Sequence, residues 1–238
     1  MNKHVEVLPD VAALVDRSLD LVVEKLQAAI AARNLATIAL SGGSTPKPLY
    51  EKLAQQNLPW DKLHIFWGDE RYVPADHPDS NQRMARLAWL DQVPIPANQI
   101  YPMPTDEEDP TTAAQKYEAK LQAFFNSKPG EFPSIDVNLL GMGDDGHTAS
   151  LFPHTQALGV RDRLITVGSK DGQPRITFTV PFINAARTVI FMVAGANKQA
   201  ALKQIFSDDC DTQEYPSGLI QPKGDLIWLL DRAAQPPN

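Results

Sequence analysis

The sequence predicts an α/β protein built on a mostly parallel, Rossmann-like open sheet with helices on both faces. Three observations carry this. Short strand-like runs alternate with segments of helical periodicity along the whole chain. Runs such as Thr188 to Ala194 are continuously apolar, the pattern of strands buried on both faces. Several of these runs stop abruptly in glycine, serine or aspartate, as strands do where they deliver a ligand-binding turn.

In chain order, His4 to Leu8 alternates like a short strand, and Pro9-Asp10 opens a helix. Apolar residues recur at helical spacing from Val11 to Ala32, at Leu14, Leu21, Val22, Leu26 and Ile30. Ala36 to Leu40 reads as a buried strand running directly into Ser41-Gly42-Gly43-Ser44-Thr45-Pro46, with a helix to follow from Pro46. Leu63 to Trp67 is the next strand, and Gly68-Asp69-Glu70-Arg71 is expected as a charged loop past its end. Asp79-Ser80-Asn81 resembles a helix cap with Gln82 to Leu90 as the helix. His77 lies in the polar loop between and is expected to face solvent.

Val93 to Pro110 is rich in proline and acid, but composition is the same on both sides, so it reads as a long connection within one domain spanning 1–238. A helix follows from Pro110 to about Asn126. Ile135 to Leu140 is a strand that delivers Gly141-Met142-Gly143-Asp144-Asp145-Gly146-His147, after which a helix-like segment is expected. Leu164 to Val167 and Arg175 to Val180 look like strands around a polar loop that contains Lys170. Thr188 to Ala194 is a central strand, Gly195 to Phe206 a helix, and Leu226 to Leu230 a last buried strand.

Composition bounds the function. With 43% hydrophobic and 21% charged residues, the 238-residue chain has the balance of a soluble protein with a substantial core. A net charge of −7 and the lack of any Lys/Arg run argue against nucleic acid or an anionic membrane as partner. No basic-then-apolar leader pattern opens the chain and one cysteine, Cys210, excludes an internal disulfide, so a cytoplasmic protein is expected.

Chemistry concentrates at three strand ends: Ser41 to Thr45, Asp69 to Arg71, and Asp144 to His147. In a parallel sheet such ends share one edge and can converge on one pocket. The Gly-Gly-Ser-Thr turn leading into a helix offers backbone N–H groups to a phosphate, although a tight turn with a Ser/Thr cap reads the same way. Neither the Walker pattern nor the three-glycine dinucleotide pattern is present. Asp145, two residues before His147, has the spacing to orient an imidazole and raise its basicity.

The segments Ser41 to Pro46, Gly68 to Arg71, Asp79 to Asn81 and Gly141 to Pro153, with Arg175-Ile176-Thr177 and Pro181 to Arg187, resemble the signature segments of the 6-phosphogluconolactonase family. The resemblance runs over essentially the whole chain and implies a fold like that of the sugar-phosphate deaminases and ribose-5-phosphate isomerases. It implies hydrolysis of 6-phospho-D-glucono-1,5-lactone to 6-phosphogluconate in the oxidative pentose phosphate pathway, with a small-molecule substrate and neither metal nor cofactor. His147 would be the general base, Asp145 its orienting partner, and Arg71 a group for either the oxyanion or the phosphate. Ser41, Gly42, Gly43, Ser44 and Thr45 would cradle phosphate. Asp69 would shape the pocket or hold Arg71, and Lys170 and Lys198 match lysines that relatives place near substrate. A monomer or weak homo-oligomer is expected.

Two rivals stand beside this reading. The related glucosamine-6-phosphate deaminases share the first turn and the Asp-Gly-His core, but carry an acid shortly after the histidine. This chain has Ser150-Leu151-Phe152-Pro153 there, and Arg71 where the deaminases have tyrosine. A non-catalytic sugar-phosphate sensor is the second, for which the sequence offers no basic DNA-reading helix.

Overall fold

The computed structural model describes residues 2–237. Its strands are β1 (Asn2–Leu8), β2 (Ala36–Leu40), β3 (Leu63–Trp67), β4 (Asp69–Arg71), β5 (Val137–Leu140), β6 (Ile165–Lys170), β7 (Gln173–Phe178), β8 (Thr188–Val193) and β9 (Asp225–Asp231). The helices are α1 (Val11–Arg33), α2 (Lys47–Leu53), α3 (Asn81–Ala88), α4 (Pro110–Phe125), α5 (Val180–Asn184) and α6 (Gln199–Ile205).

Six strands form one sheet in the order β1-β9-β8-β5-β2-β3, and every neighbouring pair is parallel. Every residue of β2, β5 and β8 is buried, so both faces of the sheet centre are covered. The fold class is therefore the one the sequence predicts.

Local chemistry sets the helix ends. The Asp10 side chain accepts the Ala13 N–H at 2.9 Å to start α1, and Asn34 ends it in the left-handed region at φ 59°. Leu14, Leu21, Val22 and Leu26 form the buried stripe between these caps. α4 begins where Asp109 accepts from the N–H groups of Thr111 and Thr112. It is anchored to the sheet by the buried Tyr117 hydroxyl, which accepts the Trp67 N–H and donates to the Tyr101 carbonyl. The long connection before α4 lies along β3: Ile100 pairs in parallel with Ile65, and the Tyr101 N–H donates to the Ile65 carbonyl at 2.9 Å. It thereby covers an edge that would otherwise stand open.

Three expectations need correction. Asp69 to Arg71 is not a loop but β4, which pairs antiparallel with β7, itself paired with β6, in a second three-stranded sheet. Gly68 makes the transfer possible: its N–H donates to Leu40 of the large sheet, while its carbonyl accepts from Phe178 of the small one. Lys170 is likewise not in a loop; it closes β6 before the turn at Asp171 and Gly172, whose φ angles of 52° and 77° suit a tight hairpin. The segment after His147 is not helical. Leu151 donates its N–H to the Thr148 carbonyl, Ala149 sits at φ 47°, and Ser150 is held by side chains of the small sheet, so tertiary hydrogen bonds outcompete a helix there.

The other sheet edge is held by a buried acid. Asp136, just before β5, accepts the Thr37 N–H at 2.9 Å and the Thr37 hydroxyl at 3.0 Å, and is ion-paired with Arg33 and Arg187. It thus ties the starts of β2, β5 and β8 and the end of α1 together. Asp136→Ala should cost ~3 kcal/mol, since it leaves buried donors and charges without a partner. Thermal unfolding should show a drop of roughly 6–12 °C. Because this edge faces away from the strand ends that carry the chemistry, a variant that still folds should keep its turnover number.

Candidate active site

The chain leaves β2 outward to β3 but leaves β5 inward to β8, so connectivity reverses between β2 and β5. A crevice opens at the carboxyl ends of strands at such a point. Here it is a cavity of about 260 Å³. A larger hollow of about 700 Å³ lies at the opposite edge near Arg187 and Lys223, and none of the expected site residues reaches it.

The first wall is the turn after β2, where Ser41, Gly42, Gly43, Ser44 and Thr45 all line the cavity. The buried Tyr50 hydroxyl fixes its start, donating to the Ser41 carbonyl at 2.7 Å and accepting the Ser41 N–H at 3.0 Å. Burial pushes the Tyr50 phenol well above its usual range, so it stays neutral and able to do both. A side chain at Gly42 would stand 1.9 Å from Oδ1 of Asn81, whose amide donates to the Asp69 carbonyl. Gly43 takes φ 99°, which favours glycine.

The second wall is the small sheet. Arg71 on β4 stands opposite Arg175 on β7, and both line the cavity. Arg71 donates to the Asp79 carbonyl at 2.6 Å, yet the buried Nε of each guanidinium has no partner among the described residues. Burial, then the charge of Arg71, lowers the Arg175 pKa from its usual value. Glu70 does not relieve this. Its carboxylate is taken by the N–H groups of Arg71, Asn81 and Gln82 and by the Ser80 hydroxyl, where it helps cap α3. Burial still raises the Glu70 pKa, against the pull of those hydrogen bonds. Asp69 lines the cavity and accepts the Ser150 hydroxyl at 2.6 Å.

The third wall is the turn after β5. The His147 ring lies with Nδ1 at 2.5 Å from Asp145 Oδ1, which also accepts the His147 N–H at 3.1 Å. Gly143 makes room for the pair: a side chain there would stand 2.1 Å from Nδ1 and 2.4 Å from the carboxylate. The imidazole packs against the Phe152 ring at 4.4 Å between centroids, and Arg175 approaches the same ring at 5.6 Å. Burial of Asp145 opposes its ionisation. The hydrogen bonds from His147 and the charges of His147 and Lys170 outweigh it and hold the carboxyl down at about 2.

Thus His147, Arg71, Asp69, Lys198 and the Ser41 to Thr45 turn share one cavity. Asp145 reaches it through His147. Lys170 does not line it; its ammonium lies 5.6 Å over the Phe152 ring. Arg175 was absent from the residues expected at the site, although the family resemblance includes Arg175-Ile176-Thr177. Its signal is the β4–β7 register, which a sequence does not display. His77 is partly buried, its Nδ1 accepting the Asp79 N–H at 3.1 Å.

A parallel sheet with a histidine–carboxylate pair at its switch point, beside two guanidinium groups that lack an ion-pair partner among the described residues, is the architecture of an α/β enzyme. The chain belongs to the family described as glucosamine-6-phosphate isomerases/6-phosphogluconolactonase, which it matches over residues 9–228. Within that family it is similar to 6-phosphogluconolactonases: 68% identical to one from a Nostoc species and 63% to one from Synechocystis, each over 98% of both chains. The solved 6-phosphogluconolactonase of Trypanosoma cruzi superimposes with a TM-score of 0.89 at 33% identity, over 98% of this chain and 97% of that one.

Two outcomes test this geometry. Gly143→Ala should drive the imidazole out of the cavity, which an NMR spectrum of the His147 ring protons would register as loss of the Asp145 hydrogen bond. The folded-state pKa of Asp145 lies below its usual value of 3.8, so the stability it contributes is fully present above that value and disappears as pH falls towards about 2. A carbon-13 titration of the Asp145 carboxyl should find it ionised at pH 3.

Proposed function

We propose that the chain hydrolyses 6-phospho-D-glucono-1,5-lactone to 6-phospho-D-gluconate, as the pentose phosphate pathway requires, with His147 as the general base. The observation that carries this reading is one cavity holding a carboxylate-oriented imidazole beside two arginines that lack ion-pair partners among the described residues. The first group suits activation of water, the second an anionic substrate.

Ionised Asp145 accepts from Nδ1, so that nitrogen carries the proton and Nε2 is left as the acceptor. Nε2 takes a proton from water as the oxygen attacks the lactone carbonyl carbon. The tetrahedral intermediate collapses with cleavage of the bond from that carbon to the ring oxygen, and His147 returns the proton to the departing oxygen, which becomes the sugar hydroxyl. Asp145 stabilises the imidazolium that exists between these two transfers. Arg71 and Arg175, with Lys198 and the amides of Gly42 to Thr45, receive the phosphate and so position the ring. A lactone ester is reactive enough that the reading invokes no metal and no covalent intermediate. It makes the protein a cytoplasmic enzyme with a small-molecule substrate, active as a monomer or weak homo-oligomer. No described helix is long and apolar enough to cross a membrane.

Purified protein should accelerate loss of freshly prepared phosphogluconolactone beyond its spontaneous hydrolysis and release no ammonia from glucosamine 6-phosphate; the reverse pattern would establish the deaminase instead. His147→Ala should lower kcat by ~10²-fold or more. An unchanged kcat with altered KM would remove His147 from the chemistry. In Asp145→Asn the maximal rate should fall, because the acceptor that orients Nδ1–H of His147 and stabilises the transient imidazolium is gone.

A further inference from the structure

Asp69 and Arg71 are two residues apart on β4, and across the β4–β7 pair Thr177 stands opposite Asp69 and Arg175 opposite Arg71. Alternation along strands puts these four side chains on one face of the small sheet, the face that lines the cavity. A carboxylate so placed is the natural ion-pair partner of either guanidinium. Yet both Nε atoms are buried without a partner among the described residues, and Asp69 instead accepts the hydroxyl of Ser150 at 2.6 Å.

Ser150 is fully buried across the Asp69–Thr177 pair, with its N–H donated to the Thr177 hydroxyl oxygen at 3.2 Å. Its carbonyl rests on Gly168, which stands opposite Arg175 on β6, and a side chain at Gly168 would come within 2.3 Å of that oxygen. Backbone and side chain are thus both fixed, and the hydroxyl has one acceptor to serve. Glu70, the other nearby acid, is held by its four donors around the start of α3.

We propose that Ser150 is a positioning residue: its hydroxyl holds the Asp69 carboxylate off the Arg71–Arg175 pair and keeps both guanidinium groups open for the phosphate of the substrate. The inference rests on the reading that this pair takes phosphate. Without the hydroxyl, Asp69 would turn to the arginines and compete with the incoming anion.

Inorganic phosphate is the probe, since it reports on the guanidinium pair without contacts to sugar hydroxyls. Ser150→Ala should weaken phosphate binding about tenfold by titration calorimetry, as a competing internal charge pair would. For the lactone, KM should rise while kcat changes less than about threefold. Adding Asp69→Asn to Ser150→Ala removes the competitor and should return phosphate affinity to within about threefold of the parent protein. Loss of packing alone would not be reversed by that second change. Ser150→Cys fills the same space with a weaker donor and should fall between; it carries the test if the alanine variant does not fold. Unchanged phosphate affinity in these single variants, or no recovery in the double variant, overturns the proposal. Binding is read without turnover, so that failure is distinct from an absence of lactone hydrolysis in the parent protein, which would overturn the functional reading.

Discussion

The site depends on the way β2 and β5 are joined at one end and parted at the other. They pair through only two residue pairs, Ile38 with Val137 and Ala39 with Asn138. Below these, Asp136 and Thr37 exchange hydrogen bonds in both directions and lock the strands together. Above them the chains diverge in opposite senses, one to the turn at Ser41 and the other to the turn at Gly141. A parallel sheet has no other place where two strand ends separate without breaking its hydrogen bonding, and the cavity occupies that place.

Around that crevice the chain sorts its charges. A protein of net charge −7 that takes an anion must build a local positive field against its own surface. Three acids near the cavity each have a partner of their own. Glu70 serves the backbone of α3, Asp69 serves Ser150, and Asp145 serves His147. Each arginine is left with a buried Nε that has no partner among the described residues, hydrogen-bonding capacity of the kind an anion can take up.

The second sheet is what makes this sorting possible. Gly68 passes the chain from the large sheet to the small one within a single residue, so the end of β3 becomes the start of β4. The small sheet then closes over the cavity and places Arg175 beside Arg71. Phe152 packs against this group, with the imidazole at 4.4 Å and the Arg175 and Lys170 cations each at 5.6 Å from its ring. At that distance the face of the ring attracts both cations.

By itself the sequence determined the alternation of strands and helices, the buried β2, β8 and β9, and the turns at Ser41 to Pro46 and Gly141 to His147. These are legible because they rest on local chemistry: periodicity, caps such as Asp10, and glycines that break apolar runs into turns. The Asp145–His147 pair was legible for the same reason, since two residues of separation nearly fix its geometry. Only the tertiary structure decided that Asp69 to Arg71 is a strand, that the stretch after His147 is a turn, and that Arg175 lines the cavity while Lys170 does not. Each of those outcomes depends on pairing between segments tens to about a hundred residues apart, and register across such a distance is set by burial and hydrogen-bond satisfaction in the folded chain, which no local pattern encodes.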